Sequence, residues 1–227
     1  MTRFIYFFLP LLVSFSFTPM SQTIELSQGQ KEAQFLLDNP TNEPMAVVIS
    51  VTDRKQKTDG QEDNAKTSEL VAFPPQLILP PKEKRTIRVQ WTGEKPNLEK
   101  AFRVVAEQLP LKVDGKKQKG SGIKMLMRYK AALYVNPGET EASLVLGVIE
   151  ESKDGLKVHI ENKGSQHRLL LNPTLSVTAG KKTINLNGEA LKGLAGENVL
   201  AGSKRVFTIA AHPELKGAEL KGKLKVE

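Results

Sequence analysis

The sequence predicts an all-β protein built as two β-sandwich domains behind a cleavable leader. Three observations carry this. Past residue 20, hydrophobicity alternates with period two in almost every segment, the spacing of strands with one buried face. No window of a dozen residues sustains a helical stripe. Pro, Gly, Asn and Asp punctuate the gaps, as at Asp38-Asn39-Pro40 and Asp59-Gly60, where turns need preset or left-handed backbone angles.

Composition bounds the answer further. With 227 residues, 39% hydrophobic and 26% charged, the chain is too apolar for disorder and long enough to bury a core without metals or disulfides. It contains no cysteine, which excludes disulfide scaffolds, zinc ribbons, iron–sulfur centres and thiol enzymes. Its 33 Lys+Arg against 25 Asp+Glu leave a formal charge of +8, and the basic surplus sits mainly on the first domain, including the stretch Lys112 to Lys119.

The elements follow in order. Met1-Thr2-Arg3, the apolar run Phe4 to Val13, and small residues around Ser14 and Ser16 read as a secretory signal peptide over residues 1–16. Ser14-Phe15-Ser16 offers a small-x-small cleavage site, and a cut as late as Ser21 also fits. The run falls short of the ~20 apolar residues that span a bilayer, and no later segment approaches that length, so export without membrane insertion is expected. The first domain, residues 17–136, carries strands Thr23 to Leu26, Glu32 to Asp38, Met45 to Asp53, Glu69 to Phe73, Arg85 to Trp91, Phe102 to Leu109 and Ile123 to Val135, a number that suits an immunoglobulin-like sandwich. Asn136-Pro137-Gly138-Glu139 then breaks the pattern. The second domain, residues 137–227, carries shorter strands: Ser143 to Ile149, Leu156 to Glu161, Arg168 to Leu171, Thr174 to Thr178, Lys182 to Leu186, Lys204 to Ala210 and Glu219 to Val226.

Catalytic chemistry is sparse. His159, His167 and His212 are the only histidines, and none has metal-motif spacing. Glu150 and Glu151 are adjacent, which in a strand sends their carboxylates to opposite faces. No nucleophile elbow, Walker loop or dinucleotide fingerprint occurs. These residues name no enzyme and call for no cofactor or metal, and a secreted hydrolase of nonstandard site stays as the remote alternative. Lys116, Lys117 and Lys119 suggest a basic loop, but no exposed aromatics interleave with it, so no nucleic-acid partner is expected.

The segment from Ile123 to Val135 is the most informative. Ile123, Met125, Met127 and Tyr129 alternate with Lys124, Leu126, Arg128 and Lys130, so apolar side chains line one face and a basic pair lies on the other. Two readings stand: an edge strand whose charges block aggregation, or an edge that pairs with a partner's strand while pockets read its side chains.

Four blocks together resemble the PapD-like periplasmic pilus chaperones, and their order resembles the archaic chaperone–usher branch: Leu36 to Pro40, Phe73 to Trp91, Ala101 to Pro110, and Met127-Arg128-Tyr129-Lys130. The resemblance covers most of the first domain. It implies two immunoglobulin-like domains in a boomerang, a periplasmic location, pilin subunits as partners, and delivery of capped pilins to an outer-membrane usher. It also implies a cis peptide at Phe73-Pro74. In the family the last strand of the first domain is lent to a pilin that lacks its own, which by position assigns Ile123, Met125 and Met127 to filling the pilin groove. The family's carboxylate anchor maps to Lys130, with Arg128 beside it. The first-strand arginine of better-known members has no counterpart, since Met20 to Ile24 contains no basic residue. Arg103 on the neighbouring strand is the substitute candidate, against its plainer reading as a surface arginine. Burying each Ile- or Met-sized side chain contributes about 1.5–3 kcal/mol, and a charge-assisted bond to a carboxylate about 1.5–3 kcal/mol. The groove then supplies most of the affinity and the anchor fixes register. The alternative is a secreted structural or adhesive β-sandwich subunit of a surface fibre.

Overall fold

The computed structural model describes residues 15–111, 125–215 and 219–227. The first domain comprises β1 (Ser16–Thr18), β2 (Ser21–Glu25), β3 (Glu32–Asp38), β4 (Met45–Asp53), β5 (Lys55–Gln56), β6 (Glu62–Asp63), β7 (Leu70–Phe73), β8 (Gln76–Leu79), β9 (Lys84–Trp91), β10 (Lys100–Leu109) and β11 (Arg128–Asn136). One sheet runs β1-β3-β9-β7 and the other β2-β11-β10-β4-β8. The alternating pattern dictates the packing: in β9, Ile87, Val89 and Trp91 are buried while Arg88 and Gln90 face solvent. Phe17 stacks on Phe35 with centroids 5.1 Å apart, and Trp91 meets Phe102 edge-on at 5.8 Å. These rings close the space between the sheets.

The chain changes sheets between β1 and β2 at a cis Thr18–Pro19 peptide, and Phe73–Pro74, between β7 and β8, is also cis. The cleavage point expected after Ser16 falls inside β1. Phe15 is 2% exposed, its ring stands edge-on to Tyr129 at 4.9 Å, and Ser16 pairs with Asp38. A cut there would remove a core aromatic and divide a strand.

The second domain comprises β12 (Leu144–Ser152), β13 (Gly155–Asn162), β14 (Arg168–Leu169), β15 (Thr174–Ala179), β16 (Lys182–Leu186), β17 (Asn198–Val199), β18 (Lys204–Ile209) and β19 (Leu220–Lys225). Its sheets are β12-β13-β18 and β16-β15-β19, with a small β14-β17 pair. Val158, Ile160, Leu175, Val177, Leu194 and Phe207 lie in a core separate from that of the first domain.

Both domains use one device beside their second long strand. Asn39, fully buried just after β3, donates to the carbonyls of Glu43 (2.9 Å), Leu79 (3.2 Å) and Pro80 (2.9 Å), and its Oδ1 accepts from the Thr41 amide and hydroxyl. Asn162, fully buried at the end of β13, donates to the Gln166 and Val199 carbonyls and accepts from the Ser143 and Gly164 amides. Each side-chain amide pairs loop backbone groups that burial would otherwise leave unsatisfied.

Five short strands depart from the expected pattern. β1 straddles the boundary between the segment read as leader and the first domain, and β5, β6, β8 and β17 are too short to show alternation. The long strand expected from Ile123 to Val135 begins at Arg128 instead. Ile123 lies outside the described residues, and Met125 to Met127 belong to no strand. The reason is the neighbour: the register continued past Gln108 and Met127 sets Pro110, which has no amide to donate, opposite Met125.

Candidate functional site

The site is built on β11. All of it but Asn136 pairs antiparallel with β10, from Arg128 opposite Glu107 to Val135 opposite Lys100. On its other side β2 pairs in parallel only along Ala132 to Asn136. The edge from Arg128 to Ala131 is therefore unpaired among the described residues. Because the Ala132 amide bonds the Met20 carbonyl at 2.9 Å on the β2 side, strand alternation turns the Lys130 and Arg128 amides toward the open edge.

Apolar side chains lie at and before the start of this edge. Met125 and Leu126 are 66% and 51% exposed. Met127 is held against β10 by its carbonyl, which accepts from the Gln108 amide at 3.0 Å, and its side chain packs on the domain's own core beside Tyr129. Tyr129 is anchored in turn, its hydroxyl donating to the Phe15 carbonyl at 2.6 Å. Of the three groove-filling candidates, Met125 is open, Met127 is half-buried in this chain, and Ile123 lies outside the described residues.

The opposite face of the strand carries the cations. Arg128 Nε lies 3.2 Å from Glu107 Oε2, with both side chains about half exposed, a pair that solvent weakens. Lys130 is exposed and has no hydrogen-bond or ion-pair partner among the described residues. Arg103, which faces Ala132 across the ladder, lies on the same face as Lys130 at a diagonal position about 7 Å away.

Arg103 is not a free surface arginine. Its Nε and Nη2 donate to Glu62 at 2.9 and 2.6 Å, and Arg54 Nε donates to the same carboxylate at 2.6 Å. Burial pushes the Glu62 carboxyl up, but the Arg103 hydrogen bonds and the charges of Arg54 and Arg103 outweigh that and hold it below the usual glutamate value. The cluster continues into the second domain. Arg54 Nη1 and Asn198 Nδ2 both donate to the Tyr134 hydroxyl, at 2.9 and 2.8 Å. The Tyr134 ring stacks on His167 at 3.8 Å, and His167 meets Glu99 through its backbone amide (3.0 Å) and Nδ1 (2.7 Å).

The hairpin of β5 and β6 adds a second fastening. Its Gln56 donates to the Asn198 carbonyl at 2.9 Å, and its Thr58 carbonyl accepts from the Val206 amide at 2.7 Å. At the tip, Gly60 has φ +89° and sits so close to the Arg205 guanidinium that no Cβ fits without moving it. The two domains thus meet through a bonded seam, and Arg103 and Tyr134 tie that seam to the strand bearing Lys130.

The sequence placed Arg128 and Lys130 on one face and offered Arg103 on the neighbouring strand, but did not single out Glu62, Arg54, Tyr134, Asn198 or the role of His167. The available signal was the Asp59-Gly60 turn, which folds Glu62 back alongside Arg54. No group of three or more His, Asp or Glu side chains among the described residues could hold a metal, and no helix among them is long and apolar enough to cross a membrane.

Residues 16–141 match the family model of the pili and flagellar-assembly chaperones, PapD N-terminal domain. The chain belongs to this family of pilus chaperones. The family is one of periplasmic, non-enzymatic assembly chaperones. A comparison with curated protein sequences gives no match. Among solved structures, the fold is similar to the CsuC–CsuE chaperone–tip subunit complex from the archaic Csu pili of Acinetobacter baumannii, at 17% identity and TM-score 0.64 over 94% of this chain and 97% of that one. It is similar to the Salmonella enterica SafA pilin–SafB chaperone complex at 18% identity and TM-score 0.58, over 96% of this chain and 99% of that one. The class 5 fimbriae chaperone CfaA matches at 16% identity and TM-score 0.61, over 94% of this chain and 100% of that one. The chaperone's two-domain, all-β fold is therefore that of its family.

Proposed function

We propose that this chaperone binds pilin subunits in the periplasm by pairing the open edge of β11 with a pilin that lacks a strand, and passes them to an outer-membrane usher. The observation that carries this is the edge at Arg128 to Ala131, which no described residue pairs, led by the exposed Met125 and Leu126 and bearing Lys130, which has no partner among the described residues. The pilin's strand continues the sheet through the Lys130 and Arg128 amides, while Met125, and Ile123 before it, fill the pilin's apolar groove. Met127 joins them only by leaving its seat on the chaperone's own core, so its share of the binding is the smallest of the three.

Lys130 receives the pilin's terminal carboxylate. Arg103 acts at one remove: two of its donors are engaged by Glu62, so it sets the local positive potential and holds the domain seam. Arg128, paired with Glu107, contributes little. Removal of the leader N-terminal to Phe15 keeps β1 whole, which an intact-mass measurement of the exported protein checks.

Co-expression with pilins encoded beside the gene tests the reading. A soluble one-to-one complex is expected, and pilin that accumulates equally well without the chaperone contradicts it.

A further inference from the structure

The β16–β15–β19 sheet of the second domain has an outer face that the pilin reading leaves unused. In β19, Leu220 and Leu224 pack on the core and Gly222 faces Leu146 and Ile149, so Lys221, Lys223 and Lys225 point outward, all exposed. The register sets each beside a hydroxyl of β15: Lys221 by Thr178, Lys223 by Ser176 and Lys225 by Thr174. Beyond these, β16 contributes Thr183 and Asn185, bonded across the sheet as Thr178–Thr183 (2.9 Å) and Ser176–Asn185 (2.6 Å).

The face is thus a row of three ammonium groups at about 7 Å intervals backed by two rows of hydroxyl and amide groups. No acidic side chain points outward from the three strands. Lys223 and Lys225 have no partner among the described residues, and Lys221 has only Glu219 at 3.6 Å, with both side chains about four-fifths exposed. Lys181, in the turn between β15 and β16, adds a further cation at the Lys221 end.

We propose that this face docks the chaperone on an anionic, phosphate-bearing membrane surface bordering the periplasm. A protein partner fits it poorly, because the face presents no exposed apolar anchor and lysine is depleted from protein interfaces. A nucleic acid fits poorly too, because no aromatic side chain on the face can stack a base. A flat array of like charge with neutral donors behind it suits a layer of phosphate headgroups. Each lysine near such a layer raises binding about five-fold, and the three together about a hundred-fold. Since the face belongs to the second domain, the open edge of β11 stays free while it is engaged.

The test is flotation of the exported full-length chaperone with vesicles of equimolar phosphatidylglycerol and phosphatidylcholine, against vesicles of phosphatidylcholine alone. The chaperone should bind the anionic vesicles and be released by raised salt. The triple variant Lys221→Gln, Lys223→Gln, Lys225→Gln should lose about a hundred-fold in binding, with unchanged thermal melting and unchanged pilin capture. A charge-matched triple variant at Lys31, Lys95 and Lys163, each also to Gln, should keep most of the binding. Equal loss in both triples would show that net charge alone attracts the protein and would overturn the proposal. So would equal binding of the wild type to anionic and neutral vesicles.

Discussion

The two halves of β11 lie on one continuous strand and share one neighbour, β10, yet they have opposite characters. From Ala131 to Asn136 every residue is buried, five of the six pair with β2 on the second side, and Tyr134 enters the domain seam. From Arg128 to Lys130 the strand is exposed or half-exposed, and among the described residues nothing pairs with its second side. The difference has a simple origin: β2 reaches only as far as Ala132, and upstream of that point the chain at Thr18–Pro19 has crossed to the other sheet. One strand therefore combines core with open edge, because the trailing half fixes the leading half in a strand conformation while β2 stops short of it. An edge ordered in advance costs a partner less conformational entropy on binding than a flexible segment would.

The largest effect should come from breaking the trailing half. Leu133→Asp places a carboxylate at a fully buried position with no cation beside it. A loss of more than about 4 kcal/mol is expected, seen as the absence of folded protein in circular dichroism. Next comes the seam that holds that half. Glu62→Gln leaves Arg54 and Arg103 confronting each other without their shared carboxylate, a loss on the order of 3 kcal/mol in denaturant unfolding at neutral pH.

The same variant sharpens the pH behaviour. The folded Glu62 carboxyl titrates below its unfolded value. Its contribution is therefore complete above about pH 4.3, the ordinary glutamate value, and is lost as pH falls through the lower folded value. The wild type should show this acid-side loss, and Glu62→Gln should lack it.

Breaking the leading half should spare the fold. Met125→Asp leaves the melting temperature unchanged but puts a charge where the pilin groove is apolar, lowering pilin affinity at least about a hundred-fold by calorimetry. Lys130→Ala should cost about ten-fold in the same titration, and removing the pilin's terminal carboxylate should add little to it, since both changes delete one contact. Arg128→Ala, whose pair with Glu107 is solvated, should change affinity by less than about 0.5 kcal/mol.

Much of the architecture was legible because one-sided burial writes a period-two pattern. The ranges Glu32 to Asp38, Met45 to Asp53 and Lys182 to Leu186 are read to the residue. What was not legible depends on partners distant in sequence. Alternation from Ile123 onward shows that the segment favours a strand, yet whether Met125 joins a sheet depends on where β10 stops. Arg103 looks alike in sequence whether it faces solvent or Glu62, and the polar hairpin that delivers Glu62 has no apolar pattern to announce it. Phe15 reads in sequence as the middle of a small-x-small cleavage site, because its contact with Tyr129 joins residues far apart in the chain.

Amide hydrogen exchange on β11, with and without bound pilin, tests the central claim most directly. The Arg128 and Lys130 amides, which face the open edge, should slow at least about ten-fold on pilin binding, while those of Tyr129 and Ala131, already turned toward β10, and those of Ala132 to Asn136 should keep their rates. Protection that appears elsewhere, with Arg128 and Lys130 exchanging as fast as in the free chaperone, would contradict strand pairing at this edge.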